Sequence, residues 1–356
     1  MPWNKVVDRA MSHWMEATGP HSDVVLSTRI RLARNLEGFP FPHMLSEGQA
    51  AEVIRKVEAG VREIDKIQVP GVVSPVELYR LAEIPPLARQ VLVEKHLISP
   101  PLAQDARGRA VAISANEAVS IMVNEEDHIR IQVLSSGLDL ENTWTLASRV
   151  DDALEEKLTY AFHNVRGYLT ACPTNLGTGL RASVMVHLPA LVITGQAGRL
   201  FNTLGQFGLA VRGYFGEGTD AQGNIYQISN QVTLGRSEED IISNLNGVAQ
   251  QVIEHERKAR DHLKRQMRAQ IEDRVGRAYG ILTGAHILSS EEAMRLLSDV
   301  RLGVDLGLIP RVPVKVLNEL LVAIRPAFLQ KTAGKDLGPF ERDVRRASLV
   351  RQRLAA

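Results

Sequence analysis

Residues 124–134 read NEEDHIRIQVL, an acidic turn that runs directly into an alternating strand. From Ile129 to Val133 apolar and polar residues alternate, so Arg130 and Gln132 are expected on one face. An extended stretch at 24–34 and further strand-like stretches at 112–113, 119–123, 183–188, 209–214 and 225–233 surround this turn along the chain. Together they predict an α+β fold in which an antiparallel sheet is flanked by helices.

Helical spacing of apolar residues fills most of the remaining chain. We expect helices over 1–18, 49–61, 74–96 and 140–160, the third interrupted by two prolines. Beyond Arg236 the pattern is almost wholly helical, over 237–278, 312–324 and 340–354, and Ser289-Ser290-Glu291-Glu292 is typical of a helix start. The sequence therefore predicts two domains, 1–255 with the sheet and 256–356 made of helices.

Composition excludes several classes of protein. The 356 residues carry a net charge of only +1, and eight Lys or Arg between Arg257 and Arg277 are partly offset by acids, so we interpret that stretch as a helix face and expect no nucleic-acid partner. A single cysteine indicates a reducing compartment. The first residues lack an apolar run, and the most apolar stretch, 182–194, is broken by His187 and Pro189. We expect a cytoplasmic protein without a membrane partner.

Arginines placed in extended segments are the first candidates for chemistry. Arg29 and Arg31 are two residues apart, which puts both guanidinium groups on one face of a strand. Guanidinium groups match phosphate oxygens bidentately, and several of them can hold a triphosphate during phosphoryl transfer. No P-loop and no protein-kinase signature occurs in the chain. Taken alone, any one of these arginines is more simply interpreted as one partner of a surface ion pair.

Carboxylates and the lone cysteine form the second set of candidates. Glu125, Glu126 and Asp127 precede the strand, Glu217 lies in a glycine-rich loop that can close over a ligand, and Cys172 begins the sequence CPTNLGT. The simpler interpretations are solvated acids, a plain hairpin connection and a small buried thiol. A cysteine surrounded by hydrogen-bond donors can instead be a reactive thiolate.

Four of these segments occur together in one known family. The sequences STRIR from Ser27, NEEDH from Asn124, CPTNLGT followed by RAS, and RGxxGE from Arg212 stand in the order and at roughly the spacing of the phosphagen kinases, or ATP:guanido phosphotransferases. The resemblance extends from about Val24 to the helix near Val252. It implies the phosphagen kinase, or glutamine synthetase-like, catalytic fold, with ATP and Mg²⁺ as cofactors.

The resemblance also implies roles for individual residues. Glu126 and Glu217 would bind the substrate guanidinium and act as base, Cys172 would be the thiolate beside it, and Glu125 would order Mg²⁺ through water. The phosphate clamps would be Arg29, Arg31, Arg130, Arg181 and Arg212. The wider set of ATP contacts would include Ser27, Thr28, Ile30, His96, Ala182, Ser183, Val184, Met185, Gly213, Tyr214, Phe215, Gly216 and Glu217.

Two departures from the small-molecule kinases change the expected substrate. Only 26 residues precede Ser27, so we expect the front domain of those enzymes to be absent and the active site to be open. The sequence RDVRRA, residues 342–347, resembles a phosphoarginine-binding pocket of the bacterial protein-arginine kinases, which would assign that ligand to Arg342, Asp343, Arg346 and Ala347.

That branch of the family marks proteins with phosphoarginine for degradation in the stress response. The resemblance implies arginine-bearing protein substrates, a Clp ATPase and protease, a small zinc-binding activator protein, allosteric regulation and a homodimer. A small-molecule guanidino kinase and a non-catalytic phosphoarginine adaptor stay open as alternatives.

Overall fold

The computed structural model describes residues 3–214, 222–309 and 312–355. Its strands are β1 (Val25–Arg34), β2 (Val76–Arg80), β3 (Ala110–Ser114), β4 (Val119–Val123), β5 (Ile129–Ser136), β6 (Phe162–His163), β7 (Gly167–Tyr168), β8 (Leu180–His187), β9 (Leu209–Arg212) and β10 (Ile225–Asn230). Eight of them form one sheet in the order β2-β3-β4-β5-β1-β8-β10-β9, while β6 and β7 form a small hairpin. Every pairing is antiparallel, which confirms the predicted sheet.

The helices are α1 (Asn4–Val7), α2 (Glu47–Lys66), α3 (Pro86–Glu94), α4 (Pro100–Gln104), α5 (Leu140–Glu155), α6 (Pro189–Ile193), α7 (Ala197–Gln206), α8 (Glu238–Gln266), α9 (Arg268–Gly284), α10 (Ser290–Asp305), α11 (Val314–Ala323), α12 (Pro326–Ala333) and α13 (Pro339–Ala355). α5 packs on β1 and β5, and α8 packs on β8 and β10. α2 packs against α5. These helices cover one face of the sheet.

Strand β1 shows how the sheet separates core from site. Ile30 and Leu32 are fully buried, whereas Arg29 and Arg31, which alternate with them, are only partly buried. Because side chains alternate along a strand, the apolar residues face the helices and both arginines face the other side. β1 lies at the centre, between β5 and β8, so neighbouring strands place their own alternate residues beside these arginines.

Two predicted helices were wrong. The described part of this stretch, 3–18, contains a single turn, α1, and a short 3-10 segment, His13–Met15, because Trp14 and Met15 are buried individually in the core. Residues 76–80 are the edge strand β2, paired with β3, and the helix begins only at Pro86. Both errors arise where long-range contacts override a local helical pattern.

The C-terminal residues are helical, as expected. Ser237 and Ser289 cap α8 and α10 by accepting hydrogen bonds from the backbone N–H groups three residues later. α8 continues through residue 255 to Gln266, and α9 follows after a break at Met267. Within the basic stretch, Arg257 pairs with Asp23 at 2.6 Å. In the described part of the chain we find no helix whose length and apolar content suffice to cross a membrane.

Candidate active site

A pocket of about 680 Å³ opens on the face of the sheet that the helices α2, α5 and α8 leave uncovered. Six arginines line it. Five lie on four strands, Arg29 and Arg31 of β1, Arg130 of β5, Arg181 of β8 and Arg212 of β9, and the sixth, Arg109, immediately precedes β3. The structure therefore brings together all five arginines that the sequence singled out. Glu125, Glu126 and Cys172 line the same pocket.

These arginines are held against one another. Arg31 lies directly opposite Arg181 in the pairing of β1 with β8, an arrangement that is unfavourable for like charges. Burial, together with the positive charges of Arg130, Arg181 and Arg212, lowers the pKa of Arg29 to about 10. Burial likewise lowers the pKa of Arg31 well below its usual value. A polyanion in the pocket would remove this repulsion.

The acidic turn between β4 and β5 is fixed by its own polar residues. Asn124, at φ +57°, donates from its side chain to the carbonyls of Ala50 and Gly108. His128 accepts from the backbone N–H of Leu36 through Nδ1, which leaves Nε2 to donate to Pro40 at 2.9 Å. Both ends of the turn are therefore anchored, and the glutamates between them have a defined position.

Within the turn the two glutamates share one arginine. Arg130 lies 2.5 Å from Glu125 and 2.6 Å from Glu126, measured between nitrogen and carboxylate oxygen. The Glu125 side chain is 8% exposed, whereas that of Glu126 is 41% exposed. Glu125 is thus buried in the pocket, whereas Glu126 lies at the mouth of the pocket, where an incoming group can reach it.

The cysteine segment forms the wall next to Glu126. Its residues Pro173–Asn175 make one 3-10 turn, and Thr233 donates to the carbonyls of Thr174 and Leu176 at 3.0 and 2.6 Å. The Asn175 side chain donates to Glu126 at 3.4 Å. Gly177 has φ +106°, and a Cβ there would lie 2.9 Å from the backbone of Leu234, so this turn requires glycine.

Cys172 is half-buried, and its Sγ lies 3.0 Å from the hydroxyl of Thr174. Asp127 connects this segment to the acidic turn, because its Oδ1 accepts from the backbone N–H of Ala171 and from Asn35, both at 2.7 Å. Burial raises the pKa of Asp127. We predicted Asp127 only as part of an acidic cluster, and this positioning role was missed because the local sequence carries no signal for it.

His96 closes the other end of the pocket. Its ring makes edge contacts with Trp14 and Tyr214, at centroid distances of 5.6 and 4.8 Å. Burial, followed by the charges of Arg29 and Arg325, lowers its pKa to about 3, so the imidazole is neutral at physiological pH. His96, for which the resemblance implied contact with ATP, thus lines the pocket.

Not every residue of the predicted ATP segments faces the pocket. Ser27, Ser183 and Met185 line a second, much smaller cavity, which shares Arg29, His96 and Gln227 with the pocket. The alternate residues Thr28, Ile30, Ala182 and Val184 are fully buried on the opposite face, where the Thr28 hydroxyl donates to the carbonyl of Gly137 at 2.7 Å. For those four residues, contact with ATP stays a prediction, and only their backbone atoms could make it. Gly213 and Tyr214 are buried, and Phe215, Gly216 and Glu217 lie outside the described residues.

The residues assigned to phosphoarginine lie on α13, far along the chain from this pocket. Arg346 is buried and donates to the carbonyls of Ile324 and Leu288 and to Asp343, at 2.8, 2.7 and 2.5 Å. Arg342 donates to Leu337, and Ala347 is fully buried. Arg346 is therefore committed to internal contacts, while Arg342 and Asp343 are partly exposed. Phosphoarginine binding stays a prediction.

The described residues of the pocket supply two carboxylates that could face a metal ion. In the described ranges we find no cluster of three or more His, Cys, Asp or Glu arranged to hold a metal ion. Where the chain is described, Glu125 and Glu126 are the acids that line the pocket, beside six arginines. This donor set fits an ion that reaches the protein with a phosphate ligand and keeps most of its water.

Comparisons with known proteins agree with this geometry. Residues 56–259 match the family model "ATP:guanido phosphotransferase, C-terminal catalytic domain", and residues 268–356 match "Protein-arginine kinase McsB C-terminal domain". Proteins named protein-arginine kinase from Symbiobacterium thermophilum and Moorella thermoacetica are 63% and 56% identical to the chain, over 100% and 97% of both partners.

Among solved structures, a lombricine kinase superposes with a TM-score of 0.57 at 27% identity, over 66% of this chain and 67% of its own. The duplicated taurocyamine kinase from Schistosoma mansoni, with bound transition state analog components, gives 0.57 at 26% identity, over 68% of this chain and 34% of its own. These likenesses confirm the fold expected from the sequence. They cover about two thirds of the chain.

Proposed function

Because this chain belongs to the ATP:guanido phosphotransferase family and is an enzyme of the protein-arginine kinase type, we propose that it transfers the γ-phosphoryl group of ATP to arginine guanidinium groups in proteins. One observation carries this proposal. Five arginines from four strands are gathered in one pocket whose mouth holds Glu126 and Cys172. A polyphosphate and a guanidinium are the two ligands that complement these two ends.

The arginine end supplies most of the catalytic effect. Phosphoryl transfer needs positioning and neutralisation of charge on the phosphate oxygens rather than covalent help from the protein. Arg29, Arg31 and Arg181 would hold the phosphates from below, while Arg130 would link them to the acidic turn. The rigid sheet keeps these donors in place, so little reorganisation is needed as the transition state forms.

The acidic end prepares the nucleophile. A free guanidinium has a pKa above about 12 and is a poor nucleophile. Glu126 would bind it bidentately and align one nitrogen with the γ-phosphorus. As the N–P bond forms and the bond between phosphorus and the β-phosphate oxygen breaks, the proton on that nitrogen would pass to a carboxylate, and ADP would leave with the bonding electron pair. Glu217 is the second carboxylate of this proposal.

Two further groups would assist. A Mg²⁺ ion supplies charge neutralisation between phosphate oxygens when it is bound. Glu125, held by Arg130, would reach its water ligands. Cys172 would lie against the guanidinium, where a thiolate favours the positive charge of the bound substrate.

The wider role follows from the same resemblance. We propose that the phosphoarginine marks proteins for a Clp ATPase and protease in the stress response. We also propose that a small zinc-binding protein activates the enzyme, that the enzyme works as a homodimer in the cytoplasm, and that Arg342 and Asp343 take part in allosteric binding of phosphoarginine. The match of residues 268–356 to a C-terminal domain of protein-arginine kinases supports these proposals.

The test separates a protein kinase from a small-molecule kinase. The enzyme is incubated with Mg²⁺ and ATP and either an unfolded protein or free arginine, and phosphoarginine is measured by mass spectrometry at neutral pH. We expect phosphoarginine on the protein, with Glu126→Ala folded but inactive. Phosphate on free arginine alone would point to a small-molecule guanidino kinase, and full activity of Glu126→Ala would remove Glu126 from its role.

A further inference from the structure

The C-terminal helices contact the ATP end of the pocket through the junction between α11 and α12. Arg325, the residue that immediately precedes α12, is 5% exposed and lies over the ring of Tyr214, with 4.7 Å between its guanidinium carbon and the ring centroid. Tyr214 follows β9 by two residues and packs edge-on against His96, which lines the pocket.

Arg325 also joins the neighbouring strand. Its Nη1 donates to the side-chain oxygen of Gln222 at 2.7 Å, and Gln222 forms a bridge with Ile225 at the start of β10. β9 carries Arg212 and β10 carries Gln227, which face each other across the pairing and both line the pocket. One buried cation therefore connects the ends of the two strands that form this side of the site.

A second contact comes from the same junction. Both oxygens of the Glu94 carboxylate accept hydrogen bonds from the first free N–H groups of α12, those of Ala327 and Phe328, each at 2.8 Å. Glu94 ends α3, and its neighbours Val93 and His96 line the pocket. These two hydrogen bonds satisfy N–H groups at the start of α12, so this cap holds α3 and α12 together.

The junction itself is fixed from behind. Arg346 of α13 donates to the carbonyl of Ile324 at 2.8 Å, and Arg325 donates through Nε to the carbonyl of Leu321 at 3.1 Å. The backbone that leads into Arg325 is thus held by its own domain. The guanidinium is presented to Tyr214 and Gln222 from a rigid base, which is what a positioning residue requires.

We infer that Arg325, with Glu94 as its counterpart, is a positioning residue for the nucleotide, so that the C-terminal helices set the shape of the ATP pocket. Arg325 acts through Tyr214 on His96 and through the ends of β9 and β10 on Arg212 and Gln227. Glu94 fixes the segment that carries Val93 and His96. This inference rests on the proposed function only in taking ATP as the ligand of the pocket.

The test compares two buried arginines that both join the C-terminal helices to the sheet domain. Arg325→Met removes the contact with Tyr214 and Gln222. The matched control is Arg301→Met, because Arg301 is equally buried and donates to the carbonyl of Ser22 and to Asn318, at a position outside the pocket lining. Calorimetric ATP binding and the KM values for ATP and for an unfolded protein substrate are measured for each variant.

We expect Arg325→Met to weaken ATP binding and raise the KM for ATP about tenfold, since a buried cation–π contact and a charged hydrogen bond are lost. The KM for the protein substrate should stay within about twofold of wild type, and Arg325→Lys should recover part of the loss because it restores the cation over Tyr214. Arg301→Met should lower the melting temperature and leave ATP binding unchanged.

Three results would overturn the inference. They are unchanged ATP binding in folded Arg325→Met, an equal loss in Arg301→Met, and an equal rise in both KM values. If Arg325→Met does not melt cooperatively, Glu94→Gln is the deciding variant. We expect it to raise the KM for ATP selectively, though by less than Arg325→Met. An unchanged KM for ATP in Glu94→Gln would contradict the inference. ATP binding needs no phosphoryl acceptor, so a wild-type enzyme that binds ATP but phosphorylates no arginine would count against the proposed function alone.

Discussion

Arginines serve opposite purposes in two regions of this molecule. In the pocket, Arg29, Arg31 and Arg181 are crowded on adjacent central strands, and the pKa of Arg29 falls to about 10 through burial and the charges of its neighbours. Among the C-terminal helices, Arg346 is more deeply buried but donates to two backbone carbonyls and one carboxylate.

The difference shows how a buried cation reveals its role. Arg346 has its hydrogen-bonding capacity matched inside the protein, so it contributes to the fold. Arg31 lies opposite Arg181 and its Nε has no hydrogen-bond partner among the described residues. Such an arrangement costs stability and persists where a ligand completes it.

The largest expected effect is on catalysis. Replacing Arg181 by Met should reduce the rate of phosphoarginine formation about 10³-fold, the scale of an arginine that stabilises charge on a transferring phosphoryl group. The rate is followed by phosphate incorporation into an unfolded protein at saturating ATP. A loss below about fivefold would place Arg181 outside the phosphate clamp.

The opposite behaviour is expected of Arg346. Arg346→Met should lower the free energy of unfolding by about 3–4 kcal/mol, because it leaves the carbonyls of Leu288 and Ile324 and the carboxylate of Asp343 without their donor. Urea denaturation followed by circular dichroism measures this change. A variant as stable as wild type would contradict the assignment of Arg346 to the fold.

The pH dependence of stability at Glu94 gives a further test of the comparison. Burial raises its pKa from 4.5 to about 7, so the folded protein keeps this proton at pH values where the unfolded chain has lost it. The resulting stabilisation is complete below about pH 4.5 and is lost as the pH rises to about 7, a change of about 3 kcal/mol. Wild-type stability relative to Glu94→Gln should therefore fall across this window, measured by urea denaturation at several pH values. A constant difference would rule out this titration.

The smallest effect is expected for an exposed ion pair. Arg353, whose side chain is 48% exposed, pairs with Glu319 at 2.9 Å. Arg353→Ala should change the free energy of unfolding by no more than about 0.5 kcal/mol, and less in high salt. It serves as the baseline for Arg346→Met in the same denaturation series, and a loss comparable to that variant would mean that exposure is a poor guide to the role of an arginine here.

Much of the site was predictable because its residues alternate along strands. The spacing of Arg29 and Arg31 placed both on one face, and the pattern from Ile129 to Val133 placed Arg130 and Gln132 together; the structure confirms both. The order of the strands in the sheet could not be predicted from this alternation. The juxtaposition of Arg31 with Arg181 depends on pairing across about 150 residues of chain, which the resemblance implied and no local pattern contains.

Contacts between distant segments explain what the sequence could not predict. The edge strand Val76–Arg80 is set by its pairing with β3, although its own residues favour a helix. Asp127 looks like one more solvated acid until the fold brings Asn35 and Ala171 to it. Arg325 likewise follows an ordinary helical stretch, and only the packing of α12 on α3 makes it a neighbour of Tyr214.

The most direct measurement is calorimetric melting of wild type and Arg31→Met, each with and without Mg²⁺ and ATP. Without ATP, we predict that Arg31→Met melts at or above the wild-type temperature, because removing the guanidinium of Arg31 relieves its repulsion with Arg181. With ATP at about 100 times its Kd, wild type should gain about 2.7 kcal/mol and the variant much less. A variant that is strongly destabilised without ATP, and gains as much from ATP as wild type does, would contradict the account.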